Sequence, residues 1–256
     1  MNIESTQQLL NGTAAVVTGG ARGLGRVLAR GLAGAGAAVG LIARSSDQLA
    51  ESVSIIEEAG GVAVAASADL ADPDAAAAAM ARPRKQLEHI DLLVNNAGVN
   101  GPVGPAWEVA EKDWWRTVEV NLRGAEVCSR LVLPDMIARR RGRIVNITSR
   151  AGVYRWPLLS AYSVSKAAVV KYVENLAQKP SDTASRFSAC TPVSCRLVSE
   201  NWRLQRPICR WGVPRLAWEA GSVSSWLPAG TPNRTGPRSC WCALRPVTPM
   251  RSAGAT

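Results

Sequence analysis

Tyr162 and Lys166 stand four residues apart in AYSVSKAA, a stretch with helical character. On a helix that spacing puts both side chains on one face, within reach of one ligand. A free tyrosine, with a pKa of about 10, is a poor proton donor and acceptor near neutral pH. A neighbouring ammonium favours the tyrosinate and brings such a hydroxyl toward the range useful for acid–base work. A second group of positions lies in TGGARGLG, residues 18–25. Thr18, Gly19, Gly23 and Gly25 fall between a predicted strand and a predicted helix, where glycines let the backbone come close to a ligand. A pyrophosphate placed there would meet free N–H groups and the positive end of the helix. The bland alternative is that these glycines serve only a tight turn and close packing.

Both groups need elements to hold them, and short β-branched runs alternate with helical stretches through residues 13–87. That pace is the mark of βαβ units and a parallel sheet, so the fold class is α/β. Strands are predicted at 13–18, 37–43, 62–67, 90–96 and 142–149. Helices are predicted from about Gly23 to Ala35, around 47–59, from Pro73 behind an Asp72 cap, over about 113–140 with an interruption or bend near Pro134, and over 160–178. After Pro180 the pattern stops. Eight Pro, five Trp, five of the six Cys and ten Ser crowd into residues 181–256 with neither helical nor strand periodicity. The chain is therefore read as a domain over 1–179 and an atypical Pro/Arg/Ser/Trp-rich tail over 180–256.

Composition narrows the function classes. Apolar residues make up 47% and charged residues 20% of 256, ordinary for a soluble domain, and no apolar run approaches the ~18 residues of a membrane span. MNIESTQQLLNG lacks a basic start followed by an apolar stretch, so a cytoplasmic setting without a membrane partner is expected. The net charge of +10 is unevenly spread, at +3 over residues 1–180 and +7 over 181–256. The densest basic run, Arg139, Arg140, Arg141 and Arg143, is expected to meet the negative end of a helix, and nucleic acid is not expected as a partner. The tail cysteines form no Cys-x-x-Cys pair and no His lies near them, which argues against a metal site. His89, the single histidine, and Cys128 are read as structural. Trp107, Trp114 and Trp115 are read first as packing, with one of them a candidate for the edge of a substrate pocket.

TGGARGLG and the NNAG of residues 95–98, followed in order by Asn121, Ser149 and the Tyr162-x-x-x-Lys166 pair, resemble the short-chain dehydrogenase/reductase family over about residues 1–179. The resemblance implies a Rossmann-like, doubly wound parallel sheet with helices on both faces. It also implies an NAD(P)(H)-dependent oxidoreductase that interconverts a ketone and a secondary alcohol by hydride transfer. Tyr162 would exchange the proton, Lys166 would also hold the ribose, and Ser149 would hydrogen-bond the substrate oxygen. Asn121 would fix a backbone kink and a water relaying protons to Lys166. The implied cofactor set is Thr18, Gly19, Arg22, Gly23, Leu24, Gly25, Arg44, Asp69, Leu70, Asn95, Ala97, Gly98, Tyr162 and Lys166, with Asp69 on the adenine. Asp69 as a turn or cap residue is the alternative. At the end of the second strand an acid would bond the ribose 2′-OH of NAD, whereas an arginine accommodates a 2′-phosphate. Arg44 stands there and Arg22 lies in the glycine turn, so NADP(H) is favoured over NAD(H), unless both are simply solvated. The substrate is a small carbonyl compound or alcohol, and relatives pair into dimers or tetramers through helices matching 113–140 and 160–178.

The family continues past its catalytic helix with a strand, a Pro-Gly turn, a lid, a helix and a last strand, and none of these is legible here. Pro192 stands near the expected turn but is followed by Val193. GC-rich codons compatible with Arg186–Ser194, read two nucleotides later, encode Val-Leu-Gly-Val-His-Pro-Gly-Val. The alternative function is thus a catalytically impaired nucleotide-binding remnant with a C-terminus frameshifted between about Ala177 and Arg186. The C-terminal strands and lid stay open at this point.

Overall fold

Every residue of β1 (Ala14–Thr18) is buried, as expected of a strand covered on both faces. In the computed structural model, which describes residues 9–176 and 186–190, β1 lies centrally in a parallel sheet. The other strands are β2 (Ala38–Ala43), β3 (Val62–Ser67), β4 (Leu92–Asn95), β5 (Arg143–Ile147) and β6 (Arg186–Cys190). Among the described residues the order is β3-β2-β1-β4-β5-β6, with Val16 beside Gly40 and Leu93, and Leu93 beside Ile144.

Alternation along the strands divides the core in two. Val16, Ile42, Leu93 and Ile144 pack with Ala76 and Met80 of α3 (Pro73–Gln86) and with Val127, Val132 and Met136 of α5 (Gly124–Ala138). Ala15, Val17, Val39 and Leu41 pack with Ala29 of α1 (Gly23–Gly34) and with Leu49 and Ile56 of α2 (Ser46–Glu58). Helices therefore cover both faces, the doubly wound arrangement. Local chemistry sets the helix starts. Ser45 accepts from the Gln48 N–H to open α2, a cap not read from the sequence, and Asp72 accepts from Asp74 and Ala75 ahead of Pro73, the cap the sequence predicts. No helix of the described residues is long and apolar enough to cross a membrane.

Two predicted elements come out differently. The helix expected over 113–140 is α4 (Glu111–Val118), a π-helical turn at Glu119–Arg123, and α5; the interruption sits at Asn121, and Pro134 lies inside α5 without ending it. Asn121 uses its side chain on a neighbouring loop, and a π turn is the helix's way of admitting such an inserted interaction. Beyond Pro180, where the pattern predicts no strand, β6 pairs with β5 from Arg143↔Arg186 to Ile147↔Cys190. The open edge of β5 recruits a segment whose own periodicity is weak, since pairing context outweighs intrinsic strand preference. The remainder of the tail, including Pro192, lies outside the described residues.

Asp91 ties the N-terminal edge of the sheet together. Its buried carboxylate accepts from the Ala14 N–H at 3.2 Å and Arg139 Nη1 at 2.9 Å, and pairs with Arg141 Nε at 3.2 Å and His89 Nε2 at 3.0 Å. The basic run thus serves a specific carboxylate as well as a helix end, and His89 has a structural place. Burial by itself would push the Asp91 carboxyl up, but the Arg139 guanidinium and the Ala14 N–H prevail and hold it below its ordinary 3.8. A depressed folded-state value means stability that is present above 3.8 and lost as pH falls below it. Asp91→Ala is expected to remove about 2–3 kcal/mol at neutral pH, leaving Ala14 and Arg139 without their acceptor. Denaturant midpoints for both proteins should converge in acid; an equal gap at all pH values would contradict this role.

Candidate active site

The turn after β1, the ends of β2 and β3 and the loop after β4 enclose a cleft of about 710 Å³. Gly19, Arg22, Gly23, Leu24, Gly25, Arg44, Asp69, Leu70, Ala97 and Gly98 line it. It lies at the carboxyl ends of the strands, where the order reverses between β1 and β4, the crevice in which open α/β sheets hold ligands. Gly19 has φ +67°, a backbone conformation that only glycine adopts without strain. A side chain at Gly25 would run into the Gly19 carbonyl oxygen and the Asn96 amide. α1 opens at Arg22 without a side-chain cap and without an acid in its first turn. Its N–H groups and positive end are thus left for an anion.

The other cofactor residues read from the sequence fall into two sets. Asp69 lines the cleft, but its carboxylate already accepts from the Ala71 N–H at 3.1 Å and pairs with Arg116. Burial works against its ionisation; the Ala71 N–H and the Arg116 guanidinium outweigh that and hold it below the usual carboxylate range. Arg22 and Arg44 are exposed at the cleft rim. Thr18 and Asn95 face the interior instead. Thr18 Oγ1 accepts from the N–H groups of Asn96 and Ala97, at 3.0 and 3.1 Å, which shapes the cleft wall from behind. Asn95 Nδ2 donates to Ala125 O, Ser129 Oγ and Asn146 Oδ1, fastening β4 to α5 and β5.

The Tyr162–Lys166 pair stands beside this cleft. Tyr162 and Lys166 belong to α6 (Ser160–Leu176), and Lys166 Nζ lies 5.9 Å from the centre of the Tyr162 ring. Lys166 is 5% exposed, and its ammonium donates to the Ile147 carbonyl at 2.7 Å. Burial lowers its pKa to about 8. A Cβ on Gly98 would sit 3.2 Å from Asn121 Oδ1 and 3.6 Å from Lys166 Nζ, so Gly98 brings the cleft wall up to both groups. Asn121 accepts from Val99 N at 2.8 Å and donates to Val99 O at 2.9 Å and Ser165 Oγ at 2.9 Å. Ser165 in turn donates to Tyr162 O at 2.8 Å. Ser149, two residues beyond β5, caps the short 3₁₀ turn Arg150–Gly152 by accepting from Ala151 N at 3.2 Å.

Sequence reasoning passed over Ser165, Asn96 and Arg116. Ser165 carried a signal, standing three residues after Tyr162 and one before Lys166; Arg116 had none, because its partner Asp69 is distant in the chain. Of the tryptophans, Trp114 donates to Ser160 Oγ at 3.0 Å and joins α4 to α6, whereas Trp107 is 85% exposed and does not pack.

The sheet order, the glycine cleft and the Tyr162–Lys166 pair define a nicotinamide-dependent Rossmann oxidoreductase acting between CH–OH and C=O. The chain belongs to the short-chain dehydrogenase family, whose pattern, described as short chain dehydrogenase, matches residues 13–201. A short chain dehydrogenase of Pseudocercospora fijiensis is 36% identical over 75% of this chain and 62% of its own length. The 2-dehydro-3-deoxy-L-rhamnonate dehydrogenase (NAD(+)) of a Sphingomonas species is 36% identical over 72% of each chain. A metagenomic short-chain oxidoreductase solved with NADP superposes with a TM-score of 0.70 at 36% identity, covering 74% of this chain and 86% of that one.

Proposed function

We propose that this chain interconverts a ketone and a secondary alcohol, with NADP(H) preferred over NAD(H). The observation that carries the reading is the buried Lys166 ammonium, set between the Tyr162 ring and the Gly98 end of the cleft. The pyrophosphate would lie against Gly19, Gly23, Gly25 and the start of α1, and the nicotinamide, when bound, supplies the hydride. Tyr162 gives its proton to the substrate oxygen in reduction and takes it back in oxidation. Lys166 stabilises the phenolate left on Tyr162, and Ser149 donates to the same substrate oxygen. Asn121 braces the 99–101 loop against α6 and carries the end of a proton path to Lys166. Pairing of copies through α4, α5 and α6 into a dimer or tetramer belongs to the same proposal, supported by Trp115, Ile137 and Val164 lying exposed on those helices. Cys128 is buried in α5, where burial pushes its thiol up to about 12; the cytoplasmic setting expected from the sequence belongs to the same proposal.

Arg22 and Arg44 stand exposed at the cleft rim, Arg44 also acting on the Asp69 carboxylate, and this pair of guanidinium groups supports recognition of a 2′-phosphate. Fluorescence titration of the full chain is expected to show NADPH binding at least tenfold tighter than NADH. Arg44→Ala should weaken NADPH by about tenfold or more, the worth of a charge-assisted hydrogen bond, with little change for NADH. Equal affinities in the unaltered chain would remove the NADP preference; a folded sample binding neither would remove the enzyme reading.

A further inference from the structure

The segment from Ser149 to Ser160 is held at both ends by the proton-handling group. Gly152 lies against the backbone of α6, where a Cβ would come within 2.7 Å of the Lys166 carbonyl carbon. Ser160 receives the Trp114 indole N–H two residues before Tyr162. The loop after β4 starts beside the same group at Val99, doubly bonded to Asn121, and Gly104 N–H joins it to the Leu158 carbonyl at 2.9 Å. Two loops anchored at the reacting residues and bonded to each other must form the rim of whatever space a substrate enters.

That rim is apolar. Val103, Trp107, Val153, Tyr154, Trp156 and Leu158 all present exposed side chains, Trp107 at 85% and Trp156 at 50%. Leu158 is held at φ +65°, a conformation costly for a branched side chain and characteristic of ligand-clamping positions. Arg150 stands over the Tyr154 ring at 5.4 Å and steadies it. Between Arg150 and Leu159 no residue carries a carboxylate or amide side chain, and Tyr154 alone carries a hydroxyl. Arg150 is engaged over Tyr154, and Arg155 and Asn100 are too few to repartner every hydroxyl of a polyol, so each stranded hydroxyl costs free energy. A ring or alkyl body would instead cover aromatic surface that is now wet.

Building on the reductase reading above, we propose that the substrate class is ketones and secondary alcohols with an apolar, ring-bearing body, and that Trp156, Trp107 and Tyr154 determine this specificity. The test compares 4-phenyl-2-butanone, 2-butanone and a ketohexose as substrates of the full chain with NADPH. The expected kcat/KM for the phenyl ketone exceeds that for 2-butanone by about tenfold or more, with the ketohexose poorest. Trp156→Ala should lower kcat/KM for the phenyl ketone about tenfold further than for 2-butanone, mainly through KM, and Trp156→Phe should restore it. Because Trp156 and Trp107 are exposed, these variants should fold, and Trp107→Ala gives an independent second reading of the same ratio. Turnover of 2-butanone or the ketohexose with no preference for the phenyl ketone overturns the inference and leaves the reductase reading intact. Absence of turnover with every ketone overturns both.

Discussion

Tyr162→Phe should reduce kcat by between about 10²- and 10⁴-fold while NADPH binding persists, because it removes one hydroxyl and leaves the ring that flanks Lys166. The separation follows from where the two functions sit. The cleft that would take the dinucleotide is built from the ends of β1 to β4, whereas Tyr162 belongs to α6, outside the cleft lining, next to the Lys166 that approaches Gly98. Steady-state turnover of a ketone, followed by loss of reduced-nicotinamide absorbance and paired with a fluorescence titration of NADPH, reads both quantities on one preparation. A variant that retained more than a tenth of wild-type kcat would mean that another group supplies the proton. Loss of NADPH binding together with kcat would mean that the hydroxyl also holds the cofactor, because the ring is retained in the variant.

Gly25→Ala is the other substitution with a large expected effect. The added methyl meets the Gly19 carbonyl oxygen, which is backbone, and the Asn96 amide, which is already donating to Thr18 O and Gly19 O. Neither can withdraw cheaply, so the glycine turn must shift away from α1. Overpacking of this kind costs about 1–3 kcal/mol of stability. The displaced turn also misaligns the N–H groups at the start of α1, and NADPH affinity should fall by at least about tenfold, in line with losing one or more hydrogen bonds to a charged group. Gly31→Ala is the control, since a Cβ there has no neighbour within 4 Å. Equal NADPH affinity in the two variants would show that the turn does not shape the binding site.

The legible parts of the fold were those governed by short-range pattern. β1 reads as a buried strand because AAVVT is continuously apolar, and α3 reads cleanly because Asp72 and Pro73 mark its start. The glycine cleft was legible for the same reason, since turn, strand end and helix start are contiguous in the chain. Long-range chemistry was not. Asn95 looks like a binding residue because it adjoins Asn96, Ala97 and Gly98, yet the pleat turns its amide into the interior, onto Ser129 and Asn146. The helix interruption was placed at Pro134 because proline is the visible breaker. The π-helical turn sits instead around Asn121, the kink position the family resemblance implies, where the side chain bonds Val99 across 22 residues, a contact the local pattern does not display. β6 was invisible because its pairing is supplied by β5, whose edge a pattern search along the chain does not see.

The seat of Gly152 on the backbone of α6 bears on how such a chain can change over generations. Ser149 and Tyr162 are fixed at either end of a segment whose middle, residues 153–158, bonds to the rest of the described structure chiefly through the Leu158 carbonyl. Mutation in that middle alters what is admitted without disturbing how the proton is moved, so new substrates can be sampled while the reaction itself is inherited intact. Gly152 cannot join that drift: a side chain there would meet the α6 backbone at Lys166 and Ala167, so this one position of the segment is held to glycine while its neighbours are free to vary.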